Sequence, residues 1–163
     1  MRIGIISDTH NNIELTQRAA SLFKEQGVDL VVHCGDCTSP RMLALFEGLK
    51  CRFVLGNGDI DVEHFNEESR RLGFGPMKEQ CSFEAHGKRI MVFHGHDVPQ
   101  FRRAVASGEY DYVIKGHTHS YENYMSGSTR VINPGSLYGA DEFSVAILDT
   151  ESGKVERIVI EAE

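Results

Sequence analysis

Five short polar clusters carry most of the chemistry in this chain: Asp8-Thr9-His10, Gly35-Asp36, Gly56-Asn57, His94-Gly95-His96 and Gly116-His117-Thr118-His119. Two carboxylates, an amide and several imidazoles are the donors that divalent metal ions take. Asp8 and His10 are two residues apart, so an extended segment aims both the same way, and His117 and His119 repeat that spacing across Thr118. Asp36 can bridge two ions, because a carboxylate has two oxygens to share. Asn57 adds a neutral amide oxygen, which fills a coordination position without reducing positive charge. Mixed N and O ligation without thiolate suits Mn, with Fe, Ni and Zn as alternatives, better than Mg or Ca alone. Two such ions about 3.5–4 Å apart clamp the attacking and leaving oxygens of a phosphoryl displacement and lower the pKa of a bridging water. The expectation is a binuclear metal centre.

Each cluster follows a short run rich in β-branched or apolar residues, and ligands of open α/β sheets gather outside the carboxyl ends of strands. Strands are expected over Arg2 to Ser7, Asp29 to His33 and Arg52 to Leu55. A helix is expected over Ile13 to Gln26, and Ser39-Pro40 is a capping and first-turn pair for another running to Leu49. Asp61 to Leu72 reads as a short helix or loop. Hairpins then follow: Cys81 to Ala85 with Arg89 to Phe93, Tyr121 to Met125 with Thr129 to Ile132, and Phe143 to Asp149 with Val155 to Ile160. Between them, Pro99 to Ser107 reads as a helix and Tyr112 to Lys115 as a strand. Alternating strands and helices followed by hairpins imply an α/β (α+β) fold of two packed sheets with helices outside. With no repeat or linker, residues 1–163 read as one domain.

The net charge of -7 and the absence of a basic run argue against binding long nucleic acid, which needs Lys and Arg against phosphates. Phosphate is still accessible to an acidic protein when metals bring the positive charge: two divalent ions outweigh Asp8 and Asp36. No apolar stretch is long enough to span a bilayer, and MRIGIISDTH lacks the apolar core of a signal peptide. A cytoplasmic location is therefore expected. Cys34-Gly-Asp-Cys37 matches C-x-x-C, but it brackets Asp36 on a loop and has no second pair to complete a zinc site. It reads as small thiols beside a metal loop in a reducing compartment. His33, His64 and His86 read as packed or solvated residues, and Asn133-Pro134-Gly135-Ser136 as a turn.

The ordered set D-x-H, G-D, G-N, H-G-H and G-H-T-H resembles the calcineurin-like metallophosphoesterase superfamily. The short chain, G-N-G-D and Asn133-Pro134-Gly135-Ser136 are similar to its small bacterial and archaeal phosphodiesterase branch. The resemblance covers essentially the whole chain and implies a four-layer αββα sandwich. It also implies one ion on Asp8, His10, Asp36 and His119, and a second on Asp36, Asn57, His94 and His117. The Asn133 to Ser136 segment would support the metal loops. The implied reaction is hydrolysis of a small phosphate ester by a metal-bridging hydroxide, with Asn57 also stabilising the developing charge. A diester carries one charge rather than two, and a site with few cationic side chains suits it better than a monoester; Arg2, Arg41 and Lys115 are the cations whose position bears on this.

One departure matters. Many relatives have G-N-H followed by Asp or Glu, where the His approaches the leaving group; here Gly58 and Asp59 stand instead. General acid catalysis contributes roughly 10²–10⁴-fold, and His96 and Asp59 are the residues available to replace it. Two alternatives share the motifs: a non-catalytic interaction scaffold, since a eukaryotic retromer subunit resembles the chain in length and motifs, and a protein Ser/Thr phosphatase. The ligand set argues against the first, and the missing His and short chain against the second. Homo-oligomerisation is left open.

Overall fold

Alternation along the strands divides their side chains among three apolar layers, and those layers set the architecture. The computed structural model describes residues 1–162; Glu163 lies outside the described residues. Ten strands form two five-stranded mixed sheets. The first contains β1 (Arg2–Ile6), β2 (Leu30–His33), β3 (Cys51–Phe53), β9 (Ser144–Asp149) and β10 (Val155–Val159), in the order β10-β9-β1-β2-β3. The second contains β4 (Gln80–Ala85), β5 (Lys88–Phe93), β6 (Tyr112–Ile114), β7 (Tyr121–Ser126) and β8 (Thr129–Pro134), in the order β4-β5-β6-β8-β7. Three helices join them: α1 (Ile13–Glu25), α2 (Val62–Arg71) and α3 (Val98–Ala106).

On β2, Val31 and Val32 point to opposite faces, as the pleat requires. Val31, Val145 and Ile147 face Leu15, Phe23, Met42, Phe46 and Phe65 of the outer helical layer. Val32, Ala146 and Leu148 meet Ile90, Val92, Ile114 and Ile132 of the second sheet. Met91, Phe93 and Val113 turn outward onto Phe101, Ala104 and Val105 of α3. The result is the expected αββα sandwich.

The helices start where the sequence places polar caps. Asn12, Asp61 and Asp97 each accept a backbone N–H of the first turn, and the Asp61 to Leu72 segment resolves as helix. The segment after Ser39 differs from expectation. It is a 3-10 helix, Pro40–Phe46, and Ser39 makes no side-chain capping bond. The crossover from β2 to β3 also has to carry the polar loop around Asp36, which leaves only a short, tight coil to bury Met42, Leu43 and Phe46.

Three parallel strands in each sheet deliver loops to one end of the molecule: β1, β2 and β3 in the first, and β5, β6 and β8 in the second. β1 is the hub of the first sheet, and α1 packs onto it so closely that a Cβ at Gly4 would lie 2.8 Å from the Phe23 ring. Gly4→Ala should therefore destabilise the protein by about 1–3 kcal/mol through overpacking. A lower urea midpoint at unchanged m-value checks this; an unchanged midpoint would mean that α1 does not seat on Gly4.

Candidate metal centre

The loops after β1, β2 and β6 turn through backbone conformations that L-residues avoid. Among the described residues, eight non-glycine residues have positive φ, and seven of them lie in these loops: Asp8 (52°), His10 (41°), Asn11 (59°), Asp36 (58°), Thr38 (63°), His117 (71°) and His119 (57°). The eighth, His86, is in the β4–β5 hairpin turn. Each left-handed residue costs about 1–2 kcal/mol, and such strain concentrates where side chains must be aimed at a ligand. Five of the seven are Asp or His with donor atoms directed into the crevice.

Backbone bonds hold the loops to one another. Asp8 N donates to Gly35 O (3.0 Å), His10 N to Asp36 O (3.0 Å) and Asn11 N to Cys37 O (3.1 Å), which aligns the β1 and β2 loops. Gly116 N donates to His94 O at 2.9 Å, which aligns the β5 and β6 loops. The sheets are bridged by Asp8, whose Oδ2 accepts from Ser7 Oγ (2.5 Å) and from the backbone N–H of His117 (3.0 Å). The Asn133 to Ser136 segment braces both sides. Asn133 Nδ2 donates to Gly116 O and Thr118 Oγ1, and Ser136 Oγ donates to Asp8 O.

With Oδ2 so occupied, Asp8 Oδ1 is left buried and, among the described residues, without a hydrogen-bond partner. It lies 3.3 Å from His119 Nε2, 3.9 Å from His10 Nε2 and 4.0 Å from His94 Nε2. Asp36 presents its oxygens in two directions: Oδ2 is 3.5 Å from His10 Nε2, and Oδ1 is 3.5 Å from His94 Nε2. His117 Nδ1 is 3.3 Å from His94 Nε2. The donor sets Asp8, His10, His119 and Asp8, Asp36, His94 each close to metal-binding separations. An unsatisfied buried carboxylate oxygen facing imidazole nitrogens is what a divalent cation relieves, so the donor set fits the ion that its chemistry implies.

The tautomers agree with this. His94 Nδ1 lies 2.8 Å from Cys34 O and must donate to it, so the Nε2 lone pair faces the crevice, the arrangement of metal-ligating imidazoles. Desolvation, then the neighbouring His94, lowers the pKa of His117 and favours its neutral form. Asn57 is exposed on the loop that closes over Asp36, where Gly58 N donates to Asp36 Oδ1 at 2.8 Å.

Asp59 does not face the crevice. Its carboxylate accepts backbone N–H bonds from Asp36 (2.9 Å), Gly56 (2.8 Å) and Thr38 (2.7 Å), so both oxygens are engaged by the loop itself. Burial pushes its carboxyl pKa up, while the donors from Gly56, Thr38 and Asp36 work in the other direction. His96 is exposed at the mouth, with ring centroids 5.5 Å from His94 and 6.2 Å from His117. A side chain at Gly58 would press its Cβ to 3.1 Å from Asp36 Oδ1, so the glycine follows from how tightly this loop wraps Asp36. Of the three cations, the Arg2 guanidinium donates to the backbone and side-chain oxygens of Gln26, and Lys115 pairs with Glu122 at 3.0 Å under the Phe101 ring. Arg41 is exposed beside the site, its Nε donating to Asn11 Oδ1.

Sequence reasoning passed over Ser7 and Tyr138. Ser7 sits at the strand end beside Asp8, which is a usable signal. Tyr138, whose ring centroid is 4.9 Å from that of His10, lies on a non-repetitive loop and gives none. The thiols of Cys34 and Cys37 are buried, and burial holds both pKa values well above the usual thiol range.

Fold and site together define a class, and comparison with known proteins agrees. The calcineurin-like phosphoesterase superfamily domain matches residues 1–153. Phosphodiesterase MJ0936 of Methanocaldococcus jannaschii is 33% identical over 172 aligned residues, covering 99% of this chain and 100% of that protein. A solved archaeal phosphodiesterase superposes with a TM-score of 0.90 at 32% identity, covering 98% of this chain and 99% of its own. A single mutant of Vps29 from Entamoeba histolytica superposes with a TM-score of 0.72 at 18% identity, covering 99% and 100%, a likeness of fold alone. The chain belongs to the calcineurin-like phosphoesterase superfamily and is a hydrolase of phosphate esters.

Beneath the site, His33 joins the first two loops. Its Nδ1 accepts from Gly35 N at 3.2 Å, which leaves Nε2–H to face Thr9 Oγ1 (3.2 Å) and Cys37 Sγ (3.3 Å). Burial, then His94 and His10, lowers its pKa from 6.5 to about 3. The unfolded chain takes up this proton below its ordinary pKa, and the folded protein does so only near the lowered one. Stability from this source is thus complete above pH 6.5 and is lost as the pH falls toward 3. Urea midpoints of chelator-treated protein should decline across that window. His33→Gln should be less stable at neutral pH but decline less steeply; equal slopes would refute the assignment.

Proposed function

We propose that the chain is a phosphodiesterase working with two divalent ions, manganese by preference, held at the shared Asp36 carboxylate. Asp8, His10, Asp36 and His119 would hold one ion, and Asp36, Asn57, His94 and His117 the other. The observation that carries this reading is Asp36 itself: its two oxygens face different imidazoles, His10 and His94, each at 3.5 Å. When bound, such a pair supplies Lewis acidity toward phosphoryl oxygens and lowers the pKa of water toward neutrality.

The chain's own residues prepare the site. Ser7 and the His117 backbone fix Asp8 Oδ2, so that Oδ1 stays aimed inward. Cys34 O fixes the His94 tautomer. The exposed Asn57 brings a neutral amide to the substrate side of Asp36, where it can stabilise charge on the phosphoryl group. Asp59 positions rather than reacts, by clamping the loop from Gly56 to the backbone of Asp36 and Thr38. No side chain at Gly58 protonates the leaving oxygen, which leaves His96 as the acid at the mouth.

Diester preference is supported by the cations: the Arg2 guanidinium is held by Gln26 and Lys115 by Glu122, and Arg41 alone of the three stands at the rim. The relative named a phosphodiesterase supports the same choice. The substrate is a small phosphate ester, and residues 1–163 work as one domain. Among the described residues, no helix is long and apolar enough to cross a membrane. The four free cysteines support a reducing, cytoplasmic setting.

The Mn²⁺-loaded protein should hydrolyse bis(p-nitrophenyl) phosphate faster than p-nitrophenyl phosphate, with chelation abolishing both. Asn57→Ala and His94→Ala should each lower kcat/KM by roughly a hundredfold. A loaded protein that cleaves neither ester would hand the chain to the scaffold reading.

The proton donor has its own test. His96→Ala should slow diesters of poorly acidic alcohols by roughly a hundredfold or more and leave nitrophenyl esters nearly untouched. A wild-type rate that is flat across leaving groups and unaltered by the substitution would remove His96 from the reaction.

A further inference from the structure

Among the described residues, five of the eight exposed large apolar side chains stand at the end of the molecule that carries the metal-ligand loops: Ile13, Ile60, Val62, Val98 and Tyr138. Ile13, Val62 and Val98 open the three helices that leave those loops, and Ile60 is 89% exposed two residues after Gly58. The mouth of an acidic protein is therefore rimmed with apolar groups.

Tyr138 is the member of this rim whose ring is packed against the donors. Its centroid is 4.9 Å from that of His10, tilted by 41°, and 6.4 Å from that of His119, at 77°. The side chain is nonetheless 53% exposed, which is not how a core aromatic sits. Its backbone is fixed by Ser136, whose hydroxyl accepts the Tyr138 N–H at 2.9 Å and reaches the Tyr138 carbonyl at 2.6 Å. The same hydroxyl reaches Asp8 O, so ring and donors are set by one anchor. A ring held in place by its neighbours and open on one side can bind a second ring at little entropic cost.

We propose that Tyr138 is a substrate-recognition residue that stacks on a planar aromatic ring in one ester group of the substrate. The preferred substrates are then phosphodiesters carrying an aryl or heteroaryl group within reach of the phosphorus. This rests on the phosphodiesterase reading and narrows its substrate class.

Calorimetric titration of the Mn²⁺-loaded protein with two monoanionic phosphinates of similar size, which carry no ester bond to cleave, tests it: benzyl(methyl)phosphinate, whose phenyl ring is planar, and cyclohexylmethyl(methyl)phosphinate, whose ring is not. Wild type should bind the phenyl probe about fivefold more tightly, the size of one aromatic contact. Tyr138→Phe should keep that preference. Tyr138→Ala should abolish it while retaining wild-type metal content by plasma emission. Equal binding of both probes by wild type overturns the proposal. So does loss of preference in Tyr138→Phe, which would make the hydroxyl the active group, and so does loss of metal in Tyr138→Ala, which would make the ring a support for His10. If neither probe binds but aryl diesters are still cleaved, this proposal alone falls. If neither binds and no phosphate ester is cleaved, the phosphodiesterase reading falls with it.

Discussion

Two carboxylates, Asp8 and Asp36, are buried within 4 Å of imidazole nitrogens, and the described side chains bring no Lys or Arg to them. Burying a carboxylate without a paired charge is among the costlier things a fold can do. The surroundings share that cost in a particular way. One oxygen of Asp8 is satisfied by Ser7 and the His117 backbone, and Oδ1 is left over. Seven left-handed residues in three loops add strain of about 1–2 kcal/mol each. A site that concentrates buried negative charge and backbone strain at the ends of parallel strands is built around a cation. The rigid scaffold beneath it, with its three apolar layers, is what makes that arrangement sustainable.

The same constraint explains the supporting residues. Asp59 has the chemistry of an acid, yet its carboxylate is consumed by the N–H groups of Asp36, Gly56 and Thr38. These are the groups that must be satisfied if the β2 and β3 loops are to close around Asp36. Gly58 fits the same requirement, because a side chain there would crowd Asp36 Oδ1. The departure from the G-N-H pattern is therefore coupled to how closely the loop wraps Asp36. His33 and Asn133 do for the backbone what Asp59 does for its own loop: each ties two loops together without entering the crevice.

Much of this was legible before any coordinates. The β-branched runs and the polar clusters that end them locate the strands and the ligand loops, because the alternation of a buried strand and the abrupt switch to Asp, Asn and His are both local signals. The 3-10 coil after Ser39 was not legible, since its geometry follows from how little chain remains between the Asp36 loop and β3. The role of Asp59 was hidden because a carboxylate that accepts backbone bonds has the same sequence signature as one that reacts. Lys115 was ambiguous for a similar reason: only the folded chain, with α3 packed on β6 and the segment before β7 turned back beside it, shows that it meets Glu122 and the Phe101 ring. Tyr138 comes from a loop after β8, where spacing carries no information about which way a ring faces.

The most direct test of the central claim is an anomalous difference map from crystals of the Mn²⁺-loaded protein, recorded at the manganese edge. The account predicts two peaks on opposite sides of the Asp36 carboxylate, one beside Asp8, His10 and His119 and the other beside Asn57, His94 and His117. A single peak, or two peaks of which neither lies against Asp36, would contradict it.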